Sequence, residues 1–239
     1  MLRVHESPSG TKRVTFLRHG ESLHKVIADA SGRVCHCDDL DASTRTIQGC
    51  PYRDPQLIDS ALTTRGHELV RGIGAQLDVQ IVLASTSVRT IETAIDAFPG
   101  APIVALESLR SRVSGHMHTK RKRLSELHAM FPDVNLPRDS AADEDALWNG
   151  DTESRASMDA RMQTFLRQLL ERPEARIAVV THFTVFLALL AKNSDPLVIG
   201  TNPSRALVDE DEPWLVLENP TTTIWNAGEL RTLTLVTDG

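Results

Sequence analysis

The chain has 239 residues, 41% of them hydrophobic, and a formal charge of -6, with an isoelectric point near 5.8. That length suits one globular domain spanning 1–239 that buries its own core, and the acidic balance excludes general nucleic-acid binding, which needs a basic footprint. No apolar run reaches membrane-spanning length and Met1 to Lys12 is polar, so a cytoplasmic protein without a membrane partner is expected.

Val14 to Leu17 is rich in β-branched and aromatic residues, as a buried central strand would be, and runs into Arg18-His19-Gly20-Glu21-Ser22. Gly20 and the polar pair after it mark a turn into a helix, which puts Arg18 and His19 just beyond a strand's carboxyl end, where open α/β sheets bind ligands. A neutral imidazole is a nucleophile near pH 7, and a guanidinium offers forked donors to phosphoryl oxygens.

Leu23 to Ala30 continues as a short helix, and 31–55, without clear periodicity, reads as a long excursion over the ligand-binding face. Within it, Cys35-His36-Cys37 with Asp38 and Asp39 offers thiolate, imidazole and carboxylate ligands. One residue between cysteines is not the usual zinc spacing, so a solvated loop with reduced thiols and no metal is expected. Cys35, Cys37 and Cys50 are odd in number, which rules out full intrachain pairing.

Thr63 or Thr64 can cap a helix in which Leu69, Ile73 and Leu77 recur at helical spacing, with that apolar face packed on the sheet. Ile81 to Ala84 is a second buried strand, followed by Ser85-Thr86-Ser87 and a helix through Phe98 with Arg89 in its first turn. A cation there opposes the helix dipole unless an anion lies between them, so from the residues alone Arg89 is either a solvated helix arginine or part of an anion site. Pro102 to Leu106 is a third strand. From 111 to 150 a second excursion begins with the basic groups Arg112, His116, His118, Lys120, Arg121, Lys122 and Arg123, and Asp143 to Trp148 is a loop. Glu153 to Leu170 is helical and ends before Pro173. Arg176 to Thr181 is the strongest strand signal, with His182 at its carboxyl end and an apolar helix from Phe183 to Leu190. Trp214 to Leu217, Thr221 to Trp225 and Leu230 to Val236 read as terminal strands.

Taken together, Leu17-Arg18-His19-Gly20-Glu21-Ser22, Asp59 to Thr63 with Gly66, Ser85 to Thr93, Ser125-Glu126-Leu127 with Phe131-Pro132, and Val179 to His182 resemble the histidine phosphatase superfamily, or phosphoglycerate mutase-like family. The resemblance implies a three-layer α/β/α sandwich with a mostly parallel central sheet and the two histidines at its carboxyl edge. It also implies that His19 attacks phosphorus while Arg18, Arg89 and His182 hold the phosphoryl oxygens, with no metal or organic cofactor and a small phosphorylated substrate as the partner. Oligomeric state does not follow from it.

Three positions depart from the family pattern. The family commonly supplies its proton donor from a Glu four residues before a Gly, where this chain has Ser111 ahead of Gly115; Glu107, matching an earlier Glu of the pattern, is the substitute expected. General acid catalysis is worth about two to four orders of magnitude in rate. Lys25 stands where an Asn is common and could bind a phosphoryl oxygen with added charge. Phe183 stands where Gly is frequent and would narrow the pocket. Ser22, Lys25, Lys120 and Arg121 are expected around the substrate, the last two gripping a second anionic part. A phosphatase acting on phosphomonoesters or related phosphoryl compounds is the reading adopted. A catalytically weak or inactive phospho-ligand-binding scaffold is the alternative, and a phosphoglycerate-type mutase is the reading these substitutions support least.

Overall fold

A computed structural model describes residues 12–32, 35, 50–139, 143–193, 214–217 and 227–236. Six strands form one sheet in the order β3-β2-β4-β1-β6-β5, where β1 is Lys12–Arg18, β2 Ile81–Ser85, β3 Ile103–Leu106, β4 Arg176–Thr181, β5 Trp214–Leu217 and β6 Leu230–Val236. The first four run parallel; β6 is antiparallel to β1, and β5, antiparallel to β6, runs in the direction of the first four. The opening strand is therefore central, in keeping with the buried run Val14 to Leu17 at its middle. The expected strand at Thr221 to Trp225 lies outside the described residues.

Alternation along the strands sorts their side chains onto two faces. Val14 and Phe16, Ile81 and Leu83, and Ile177 and Val179 share one face with Met158, Met162, Phe165 and Leu169 of α5 (Arg155–Leu170) and with Val185, Phe186 and Leu189 of α6 (Phe183–Asn193). Leu17, Val82, Ala84, Ala178 and Val180 point to the other, against Ala94 and Ala97 of α3 (Val88–Ala97) and Phe98. Helices thus cover both faces of a mostly parallel sheet, the three-layer sandwich expected from the sequence. Phe16 is wholly buried between the rings of Phe165 and Phe186, at centroid distances of 6.5 and 5.9 Å, where truncation to Ala would cost about 3–5 kcal/mol.

One helix differs from its sequence pattern. Helix α2 runs only from Thr64 to Val70, and Leu69 and Ile73 are exposed rather than packed on the sheet. The amides that would prolong it are used elsewhere: Gly72 N–H donates to Asp96 O (2.8 Å) and Gly74 N–H to Ala97 O (3.0 Å). These bonds satisfy carbonyls that α3 leaves unpaired at its end, so chain direction follows the needs of α3. The expected α1 (Leu23–Ala30) forms, and α4 (Leu124–Met130) packs Leu124 and Leu127 against Val88 and Ile91 of α3.

Candidate active site

Strand register assembles the site. Arg18 of β1 pairs with Thr181 of β4, and Ala84 of β2 pairs with Val180 of β4, so three adjacent strands end at one level. His19, Ser85 and His182 come together there: His19 N–H donates to Thr181 O (3.1 Å), and the His19 and His182 ring centroids are 5.2 Å apart.

Hydrogen bonds select the tautomer of each ring. His19 Nδ1 lies 2.8 Å from Gly20 O, and a carbonyl only accepts, so Nδ1 carries the proton and Nε2 the lone pair. At His182 the assignment is reversed. Arg89 Nη2 donates to Nδ1 (3.3 Å), leaving Nε2–H to donate to Ser85 Oγ (3.0 Å). Burial, reinforced by Arg89, lowers the pKa of both histidines well below the ordinary value; for His19 the Gly20 carbonyl opposes this and Arg18 adds to it. The site therefore holds two neutral imidazoles beside the guanidinium groups of Arg89 and Arg18.

Arg89 is 1% exposed, and burial pushes its pKa down to about 10 against the opposing pull of Asp59. The anion near this helix start is Asp59 itself. Its Oδ1 accepts from Val88 N–H (3.0 Å) and lies 4.0 Å from Arg89 Nη1, while its Oδ2 accepts from Lys122 N–H (3.1 Å). Asp59 adopts φ +43°, a conformation uncommon for a residue with a side chain and retained where surroundings over-determine it. Arg89 Nη1 also donates to His118 O (3.0 Å). Arg18 lies over the Phe183 ring, 5.6 Å from its centroid; the residue expected to narrow the pocket is packed beside a guanidinium. Arg18's own pKa is lowered by burial and supported by Glu229.

Glycine sets the position of the His19 turn. A Cβ on Gly66 would stand 2.1 Å from Glu21 O, so only the bare backbone lets α2 approach residues 20–22 this closely. The contact is strapped further by Thr63 Oγ1 donating to Glu21 Oε1 (2.7 Å) and by Leu23 N–H donating to Ala61 O (3.0 Å).

Other expected site residues are engaged elsewhere. Both oxygens of Glu107 face donors: Oε1 accepts from Thr86 Oγ1 (2.6 Å) and is 2.9 Å from Arg121 Nε, and Oε2 accepts from Arg110 (3.3 Å). A general acid needs an O–H aimed at the leaving oxygen, whereas this carboxyl group spends its acceptors holding a loop. Ser111 Oγ lies 3.2 Å from Thr184 Oγ1. Lys25 sits on the exposed face of α1 in a pair with Asp29 (2.7 Å), because i,i+4 residues share a helix face. Ser22 is buried at the start of α1. Lys120 lies over the Trp148 ring at 4.7 Å. Arg121 is buried and donates to the carbonyls of Lys122, Asp143 and Glu144. The basic loop is thus neutralised mainly from within, with Arg110 forked onto Asp145 at 2.5 and 2.6 Å; its arginines brace the loop instead of reaching for a second anion.

Two histidines that the sequence reading left without a role in the site line it. His24 and His118 stack face to face, with centroids 4.0 Å apart and planes 2° from parallel, and His24 is 6.5 Å from His19. Burial lowers both pKa values, with His118 and Arg89 adding to the effect at His24, and Arg89 and His116 adding to it at His118. His24 Nδ1 bonds Ser60 Oγ (2.9 Å), which ties the stack to the segment carrying Asp59. Histidine's spacing from the Arg18-His19 pair was the available signal for His24; nothing local marks His118.

Fold and site together define an α/β protein with a buried, cation-flanked histidine pair at the carboxyl edge of its sheet. The chain belongs to the histidine phosphatase superfamily (branch 1), whose family model matches residues 14–195. Two Arabidopsis thaliana relatives are similar in sequence: phosphoglycerate mutase-like protein 1, 24% identical over 202 residues (72% of this chain, 68% of that one), and a phosphoglycerate mutase-like protein, 25% identical over 211 residues (75% and 74%). Similar solved structures include the alpha-ribazole phosphatase from Shigella flexneri (17% identity, 77% of this chain and 81% of that one, TM-score 0.47). Another is YhfR of Bacillus stearothermophilus (22% identity, 75% and 78%, TM-score 0.46).

Proposed function

We propose that this protein is a phosphatase that hydrolyses phosphoryl compounds through a phosphohistidine at His19. The observation that carries the reading is the Nδ1–H bond from His19 to Gly20 O, which leaves the Nε2 lone pair of a neutral, buried imidazole beside Arg89 and His182. Family membership supports the same chemistry. In the first step Nε2 forms a bond to phosphorus as the bond to the leaving oxygen breaks, with Arg18, Arg89 and His182 balancing charge on the phosphoryl oxygens. Water then attacks phosphorus, the P–N bond breaks, and inorganic phosphate departs. Positioning and electrostatics supply most of the acceleration in such transfers.

The engaged carboxylate of Glu107 and the hydroxyl at Ser111 favour substrates whose leaving groups depart without a strong acid: aryl phosphates, acyl phosphates or phosphoanhydrides rather than alkyl esters. The same observation favours the second reading, a phospho-ligand-binding protein that keeps the clamp without rapid turnover. Turnover of p-nitrophenyl phosphate by wild type and His19→Ala, between mildly acidic and neutral pH, separates them. Activity that disappears in the variant is the expected result. A folded wild type that binds phosphate yet turns nothing over would establish the binding protein instead, and equal rates on alkyl and aryl esters would require a proton donor other than those described.

A further inference from the structure

We propose that Cys35, Cys50 and His116 form a binding site for a divalent metal ion of the zinc class, tying the 31–55 excursion to the loop that begins at 111. Cys35 Sγ lies 3.2 Å from Cys50 Sγ and 3.3 Å from His116 Nε2, and the three donor atoms all lie within 4.8 Å of one another. They are separated by 15 and 81 residues in sequence, so no local spacing motif could have disclosed the group.

The distances suit a tetrahedral ion. With metal–sulfur bonds of about 2.3 Å and metal–nitrogen bonds of about 2.05 Å, the tetrahedral angle sets sulfur–sulfur at about 3.8 Å and sulfur–nitrogen at about 3.5 Å. Cys35 Sγ stands about 0.6 Å inside that frame from Cys50 Sγ and about 0.2 Å inside it from His116 Nε2, and small side-chain rotations open it. A disulfide would require sulfur atoms at about 2.05 Å and would leave the imidazole without a role. Two soft thiolates and an imidazole select zinc over calcium or magnesium, whose ligands are oxygen atoms.

His116 is held as a metal ligand is usually held. Its Nδ1 lies 2.9 Å from Ser114 Oγ; with the proton on Nδ1, the Nε2 lone pair faces Cys35, the arrangement by which outer hydrogen bonds orient ligand histidines. Its backbone carbonyl accepts from Thr119 Oγ1 (2.7 Å) and Trp148 Nε1 (3.3 Å). Gly115, immediately before it, has φ +69°, and a Cβ there would stand 2.3 Å from Gly150 O, so the loop presents the imidazole from a backbone that only glycine permits. Cys50 is fully buried. On binding, the two thiols lose their protons to solvent, the neutral imidazole contributes its lone pair, and water or another donor completes the fourth position.

The location explains what the ion would do. Tyr52, two residues after Cys50, packs its ring 5.3 Å from His116 and 5.2 Å from His118, and His118 stacks on His24 beside His19. One ion would fix the wall of the histidine site by joining two excursions whose ends the sheet alone does not constrain.

Metal content of the full chain purified from zinc-supplemented cells is the first measurement, with about one zinc per chain expected. Cobalt exchanged into the site should show thiolate-to-cobalt charge-transfer absorption in the near ultraviolet, lost in Cys35→Ser and Cys50→Ser and weakened in His116→Asn. Should those variants fail to fold, titrating wild-type thiols with an organomercurial must release zinc in step with thiol modification. Absence of metal from folded wild type, or detection of only one reactive thiol among the three cysteines in denaturant without reductant, would overturn the site, the latter in favour of a disulfide. None of these readouts depends on turnover.

Discussion

Lowering the pH from 7.5 to 5.5 should destabilise the fold through its buried histidines. His19, His24 and His182 are each less than a tenth exposed, and burial lowers all three pKa values. Their imidazoles therefore stay neutral in the folded chain, while in the unfolded chain they take up protons below pH 6.5. The unfolded state then binds more protons, so stability is complete above 6.5 and declines below it. Each such histidine loses about 1.4 kcal/mol by pH 5.5, or about 4 kcal/mol for three. Asp59 and Glu92, whose pKa values burial raises, act in the opposite sense and partly offset the loss of about 4 kcal/mol from these three histidines. That is a large share of the roughly 5–15 kcal/mol typical of a domain. Urea unfolding followed by circular dichroism at pH 7.5, 6.5 and 5.5 measures the decline, and His24→Gln should flatten it by the contribution of one proton. Stability that is level or rising as pH falls would refute the neutral-histidine assignment.

Three substitutions probe the surroundings. Gly66→Ala forces a methyl group against Glu21 O and should cost about 1–3 kcal/mol in denaturant unfolding while lowering kcat through displacement of the His19 turn; a neutral outcome would deny the close approach. Glu107→Gln should cost about 1–2 kcal/mol by weakening the bonds to Arg110 and Arg121, with p-nitrophenyl phosphate turnover within a few-fold of wild type. A selective collapse of alkyl-ester hydrolysis would return the carboxyl group to the role of acid. Lys25→Ala, which breaks an exposed pair, should change stability by less than about 1 kcal/mol and leave KM unchanged; a KM rise of tenfold would place the ammonium group on the substrate.

The core of this fold is legible because its strands announce themselves. Ile81 to Ala84 and Ile177 to Val180 are continuous apolar runs, Val14 to Leu17 is interrupted only by Thr15, and polar side chains at their carboxyl ends can only face a common edge if the strands are parallel neighbours. Less legible are features made by residues remote in sequence. Arg121 reads as part of a basic run, yet Glu107 approaches it from outside that run. Leu69 and Ile73 kept helical spacing although the hydrogen bonds of Gly72 and Gly74 turn that segment toward α3. Asp59 carries no sign of its partnership with Arg89, thirty positions on, and Cys35 gives none of its approach to His116. Periodicity and composition report local preference; pairing across the sheet edge depends on topology, which neither contains.

The central place of β1 also has a consequence for biosynthesis. Its two neighbours are β4, Arg176–Thr181, and β6, Leu230–Val236, so the strand leading to His19 leaves the ribosome well before either partner that encloses it. At about 5–20 residues per second, the interval between emergence of His19 and arrival of β6 is about 10–40 s. Through that interval an apolar strand must be shielded without its partners. A chain ending before β6 would carry every residue of the proposed phosphoryl clamp and still leave one side of the strand leading to His19 unpaired.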